Sequence, residues 1–144
     1  MSHAQAGHYA SKHAPASRPD ARIAALARQF AAHGKLTCAA AHRIAQELAV
    51  TPAEVGVTLD LLEIRISQCQ LGLFGYSPQK RLVQPAAQVS PALRLALMAA
   101  QCEQGLPCAA AWELASSAGV SKLELAAACE ALRLKIKTCQ LGAF

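Results

Sequence analysis

The chain has 144 residues, of which 53% are hydrophobic but only 4% aromatic, and its formal net charge is +5. An apolar fraction made mostly of Ala and Leu disfavours a β-sandwich core and favours small helices that approach closely. With no run of ~18 consecutive apolar residues and no apolar signal core at the N-terminus, the expectation is a cytoplasmic protein with no membrane partner and with reduced cysteines.

Residues 1–18 are rich in His, Ala, Ser and Pro without a helical stripe, and read as a disordered tail. His3, His8 and His13 recur every five residues, a spacing that compositional bias explains better than a loose metal site. The Met1-Ser2-His3 terminus would offer an amine and an imidazole to copper or nickel only while Met1 is retained. Pro19 and Asp20 then open a helix with Ile23, Leu26, Ala27 and Phe30 on one face, closed by His33-Gly34.

A second helix follows over about 38–49, with the stripe Ala41, Ile44, Ala45 and Leu48, and ends in a tight turn at Ala49-Val50. Thr51 and Glu54 form a capping box for a third helix that runs to about Glu63 and buries Val55, Leu59 and Leu62. Ile64-Arg65-Ile66 alternates apolar and basic residues as a half-exposed strand, and Cys69-Gln70-Leu71-Gly72 follows as a short strand or minimal hairpin. Residues 77–89, with Ser-Pro, Gln-Pro and Lys80-Arg81, read as a linker.

From Ser90 onward the pattern repeats. A shift of 70 residues aligns Cys69-Gln70-Leu71-Gly72 with Cys139-Gln140-Leu141-Gly142, and Cys38-Ala39-Ala40-Ala41 with Cys108-Ala109-Ala110-Ala111, without a gap. Ser90 and Pro91 start a helix that ends near Gly105, the next spans about 108–118, and Ser121 and Glu124 repeat the capping box. Leu134 to Lys137 repeat the strand. The expected units are therefore residues 19–76 and 90–144, each near the lower size limit for independent folding.

Ile44-Ala45, Leu48-Ala49-Val50 and Val55 form the apolar and small-residue pattern of a helix-turn-helix, and Leu114-Ala115, Ala118-Gly119-Val120 and Leu125 repeat it. With a helix before and a strand after, each copy resembles a winged helix-turn-helix unit over residues 20–74 and 90–144. The resemblance implies a mainly α fold, a tandem repeat of two small helix-turn-helix (winged-helix-like) units with short β-strands. It also implies a regulatory protein that binds double-stranded DNA, the third helix in the major groove and the wing on phosphates.

The third helices depart from that pattern. The first offers Glu54, Val57, Thr58, Asp60 and Leu61, and the second Lys122, Glu124, Ala126, Ala127, Glu130 and Ala131, rather than the Arg, Lys, Asn or Gln that read base edges. Such faces suit a protein partner or a homodimer. The candidate backbone contacts are Arg65, Lys80, Arg81, Lys135 and Lys137. The basic excess itself lies in residues 1–33, at +3, and 77–104, at +2.

Cys38 and Cys69, like Cys108 and Cys139, are 31 residues apart. The first of each pair opens a helix, where a thiolate is favoured, and the second follows a strand that would pair nearby. Three readings stand. Four thiolates suit zinc or an iron–sulfur cluster, each pair alone suits redox chemistry, and buried cysteines suit simple packing. Cys102 and Cys129 lack counterparts in the first copy and are assigned to the core. Gln70 and Gln140, kept beside the cysteines, are expected to make structural hydrogen bonds. No phosphate-cradling glycine loop, nucleophile elbow or paired carboxylates occur, so no enzyme activity is expected.

Overall fold

In the computed structural model, which describes residues 8–144, the chain is mainly helical with short strands. After a 3-10 turn at Tyr9–Lys12 come α1 (Ala21–Phe30), β1 (Lys35–Thr37), α2 (Cys38–Leu48), α3 (Pro52–Leu61) and β2 (Arg65–Ser67). The same succession follows as α4 (Pro91–Ala100), β3 (Leu106–Pro107), α5 (Cys108–Ala118), α6 (Lys122–Ala131) and β4 (Ile136–Lys137).

The chain divides into two units with boundaries other than those expected. Unit 1 comprises Met1–Cys69 together with Gln140–Phe144, and unit 2 comprises Gln70–Cys139. The residues from Gln140 onward therefore complete the unit built by the first copy, and those from Gln70 onward belong to the unit built by the second. Burial is the reason: Leu71 is 0% exposed and Leu141 2%, so each tail supplies a buried apolar side chain to the unit that the other copy builds.

In unit 1, Asp20 caps α1 by accepting from the amides of Ile23 and Arg22. Those bonds, the Ile23 amide first, hold its carboxyl below the ordinary range. The buried face of α1 is Ile23, Ala24 and Ala27, while Phe30 is exposed at the helix end with the Arg43 guanidinium 5.9 Å from its ring centre. His33 and Gly34, both at positive φ, form a tight turn beyond the helix. Thr37 caps α2, and Ala49, at φ 54°, ends it in the left-handed region. Both oxygens of the Thr51–Glu54 capping box are engaged at the start of α3. The core is built from Ile23, Leu36, Ile44, Val55, Leu59 and Ile66.

Unit 2 follows the same plan with different residues. Ser90 caps α4, whose only fully buried residue is Leu97. Gly119 takes the left-handed position after α5, and Ser121 and Glu124 form the capping box of α6. The third helices end at Leu61 and Ala131, two residues before Glu63 and Arg133, because those two residues adopt φ values of 55° and 57°.

The strands pair in parallel: Lys35, Leu36 and Thr37 with Arg65, Ile66 and Ser67, and Leu106 and Pro107 with Ile136 and Lys137. A parallel pair needs a crossover, which α2 and α3 or α5 and α6 supply. Among the described residues no antiparallel wing hairpin follows either third helix.

Two segments expected to be loose are packed. Within the expected tail, Tyr9 is buried, and its amide and that of Ala10 donate to the Glu63 carboxylate at 2.9 Å. The expected linker lies on unit 2: Val83 is buried, the amides of Leu82 and Val83 donate to the Gly72 carbonyl, and that of Ala86 donates to the Ala127 carbonyl. His3 and the Met1-Ser2-His3 terminus lie outside the described residues. No helix is long and apolar enough to cross a membrane among the described residues.

Candidate functional site

The third helices are the natural place to look for base contacts, and both are covered on more than one side. α3 buries Val55 and Leu59 toward α1 and α2, and also Gly56, Thr58 and Asp60. Gly56 is glycine for a reason of contact: a Cβ there would overlap the backbone carbonyl of Leu141, so the tail lies directly on the helix. Thr58 Oγ1 accepts the Asp20 amide at 3.1 Å. Asp60 Oδ2 takes Lys12 Nζ at 3.0 Å and His13 Nε2 at 2.8 Å, and Lys12 also donates to the Gly142 carbonyl. The N-terminal turn thus straps the C-terminal tail onto α3. What α3 leaves exposed is Ala53 and Glu54.

α6 is closed by other means. Ala126, the counterpart of Gly56, is fully buried, and a Cβ on Gly72 would meet a Leu123 methyl group. Glu130, the counterpart of Asp60, takes Arg81 from the connecting segment. α6 presents Leu123, Glu124 and Ala131 outward, with Lys122 half-buried.

The candidate phosphate contacts separate into two groups. Arg65, Lys80, Lys135 and Lys137 are exposed, and no carboxylate among the described residues pairs with them. Arg81 is exposed but ion-paired with Glu130. Lys35, beside Arg65 in the strand register, and Arg133, just before β4, extend the basic set. Unit 1 has seven basic and five acidic residues and unit 2 has seven and four, so both units are positive once the tail and connecting segment are counted where they pack.

Cys38, Cys69 and Cys108 are buried and Cys139 is half-buried; none of the six cysteines forms a disulfide. In unit 1, Cys38 follows β1 and Cys69 follows β2 by one residue, at the same end of the parallel pair. In unit 2 the Cys108 amide donates to the Thr138 carbonyl, next to Cys139. The strand pairing beside each second helix is as expected. Among the described residues no three His, Cys, Asp or Glu side chains group so as to hold a metal ion.

Cys129 is in the core, and burial, helped by the Glu130 charge, pushes its thiol up to about 11. Cys102 is not in the core. It is exposed, with its thiol donating to the Gly105 carbonyl at 3.1 Å, because α4 ends at Ala100 and the chain turns outward. Gln70 and Gln140 are half-buried at the points where the chain passes from one unit to the other.

Sequence reasoning missed the strap of Tyr9, Lys12 and His13 on Asp60 and Glu63. The available signal was an Asp in the middle of the third helix, at a position adjoining the core residue Leu59. It also missed a cluster in unit 2 where Lys122 Nζ lies 4.4 Å from the centre of the Trp112 ring. Comparison with family models, with curated proteins and with solved structures yields no match to this chain.

Proposed function

We propose that the chain is a tandem helix-turn-helix regulatory protein that holds double-stranded nucleic acid by its phosphates and does not read bases with its third helices. One observation carries the reading. Lys35 and Arg65 in unit 1, and Arg133, Lys135 and Lys137 in unit 2, are exposed basic side chains at the strands with no carboxylate partner among the described residues. Phosphate contacts of this kind add affinity and carry little sequence information. The covering of α3 and α6 supports the same restriction, because base readout needs a helix face free to enter the major groove.

The test is an anisotropy titration of a labelled mixed-sequence duplex over a range of salt. Neutralising two to five phosphates predicts that log K falls against log salt with a slope of about −2 to −4.5. Changing Lys35→Gln and Arg65→Gln together lowers that slope by about 2. No measurable affinity even at low salt overturns the proposal.

A second reading, a protein adaptor or homodimer, is favoured by α4, which exposes Leu95 at 72% and Met98 at 45%. The same positions in α1 are Ala25 and Arg28. Light scattering of the protein and of a Leu95→Glu variant decides it: a dimer that the variant abolishes supports it, and a concentration-independent monomer removes the homodimer.

A further inference from the structure

A pocket of about 570 Å³ opens in unit 2 against α5 and the first turn of α6. That volume falls in the range of about 300–1,000 Å³ usual for small-molecule sites. Trp112, Val120 and Leu123 give it an apolar wall, and Ser116, Ser121 and Lys122 give it polar groups.

Three features make this more than a dent in the surface. The Lys122 ammonium is held over the Trp112 ring, where the ring's negative face attracts it, and no carboxylate among the described residues pairs with it. Ser121 Oγ accepts the Glu124 amide at 3.0 Å, which leaves the hydroxyl hydrogen to donate. In the first copy the equivalent hydroxyl, on Thr51, lies 3.1 Å from Glu54 Oε2 and donates to it. Finally, the first copy has His42, Gln46, Pro52 and Ala53 where the second has Trp112, Ser116, Lys122 and Leu123, so the shared fold does not require these four residues.

We infer that this pocket binds a small planar monocarboxylate. Its ring lies along Trp112, Val120 and Leu123, and its carboxylate takes the Lys122 ammonium and the Ser121 hydroxyl. One negative charge fits better than two, because the Glu124 carboxylate stands at the same helix end, 2.8 Å from the Ser121 amide, and opposes a more highly charged anion. The site is independent of the nucleic-acid reading.

Trp112 is the chain's one tryptophan, so its fluorescence reports on this pocket alone. Titration with benzoate is expected to give a saturable change. Benzyl alcohol, which keeps the ring but lacks the charge, and acetate and phosphate, which carry charge without the ring, are each expected to bind at least ~10-fold more weakly. Lys122→Gln, at a half-buried helix start, is expected to weaken benzoate at least ~10-fold with unchanged far-UV circular dichroism. Saturation-transfer signals from the benzoate ring protons give a readout that does not depend on Trp112. A linear, non-saturating response, equal binding of phosphate and benzoate, or benzoate binding unaffected by Lys122→Gln overturns the inference.

Discussion

Unit 1 has Gly56 where unit 2 has Ala126, and Asp60 where unit 2 has Glu130, and the way each third helix is closed follows from those two positions. In unit 1 the tail backbone rests on the helix itself, and the buried Asp60 gathers Lys12 and His13 to hold an N-terminal turn across it. In unit 2 the tail meets the Leu123 side chain instead, and the acid takes Arg81 from the connecting segment. Two units with the same element order thus use one acidic position each to anchor whichever segment is near. The third helices are covered in both cases, which is why phosphate contact at the strands is a better reading than base contact on the helices.

The largest test of this difference is Gly56→Ala. The added methyl has no space against the Leu141 carbonyl, so the variant is expected to lose about 3 kcal/mol in urea unfolding and to make residues 140–144 sensitive to carboxypeptidase. Ala126→Gly in unit 2 is expected to cost only about 1 kcal/mol, mainly from helix propensity. Equal effects would mean that the two tails pack alike.

A smaller effect is expected from Asp60→Asn, which removes the charge from a 6%-exposed group that faces the Lys12 ammonium and the His13 ring. A loss of about 2 kcal/mol, together with faster amide exchange at Tyr9 and Ala10, is expected from opening the strap. Glu130→Gln, whose ion pair with Arg81 is more exposed, should change stability by about 0.5 kcal/mol or less.

A further test uses the turn after the second helix. Ala49 is held at φ 54°, where Gly119 stands in unit 2. Ala49→Gly is expected to stabilise the protein by about 1 kcal/mol and Gly119→Ala to destabilise it by a similar amount, read as opposite shifts in urea midpoint. Movement in the same direction would show that these turns are not equivalent.

The helices were legible because their signals are local. Thr51 and Glu54, Ser121 and Glu124, Ser90 and Pro91 name their helix starts within four residues, and each is found where its pattern places it. The strands were legible from the alternation at Ile64-Arg65-Ile66, and the approach of the cysteine-bearing segments from the expected pairing of that strand beside the second helix. Orientation of the strands was not, since parallel and antiparallel pairs have the same alternation. Cys102 was misplaced because an unmatched cysteine is usually core, whereas here the chain has already left α4. The Trp112 and Lys122 cluster was not legible, since its two members are ten residues apart across a turn.

What the sequence determined by itself is the helix starts and turns and the mainly helical character, because capping, periodicity and left-handed turns depend on neighbours within a few residues. What only the tertiary structure decided is where each Gln-Leu-Gly tail goes. Leu71 and Leu141 are the same residue in the same motif, and nothing near them in the chain distinguishes a core of their own from that of the other unit. That choice depends on contacts tens of residues away, such as the bare backbone of Gly56 under Leu141, which alone makes room for the tail.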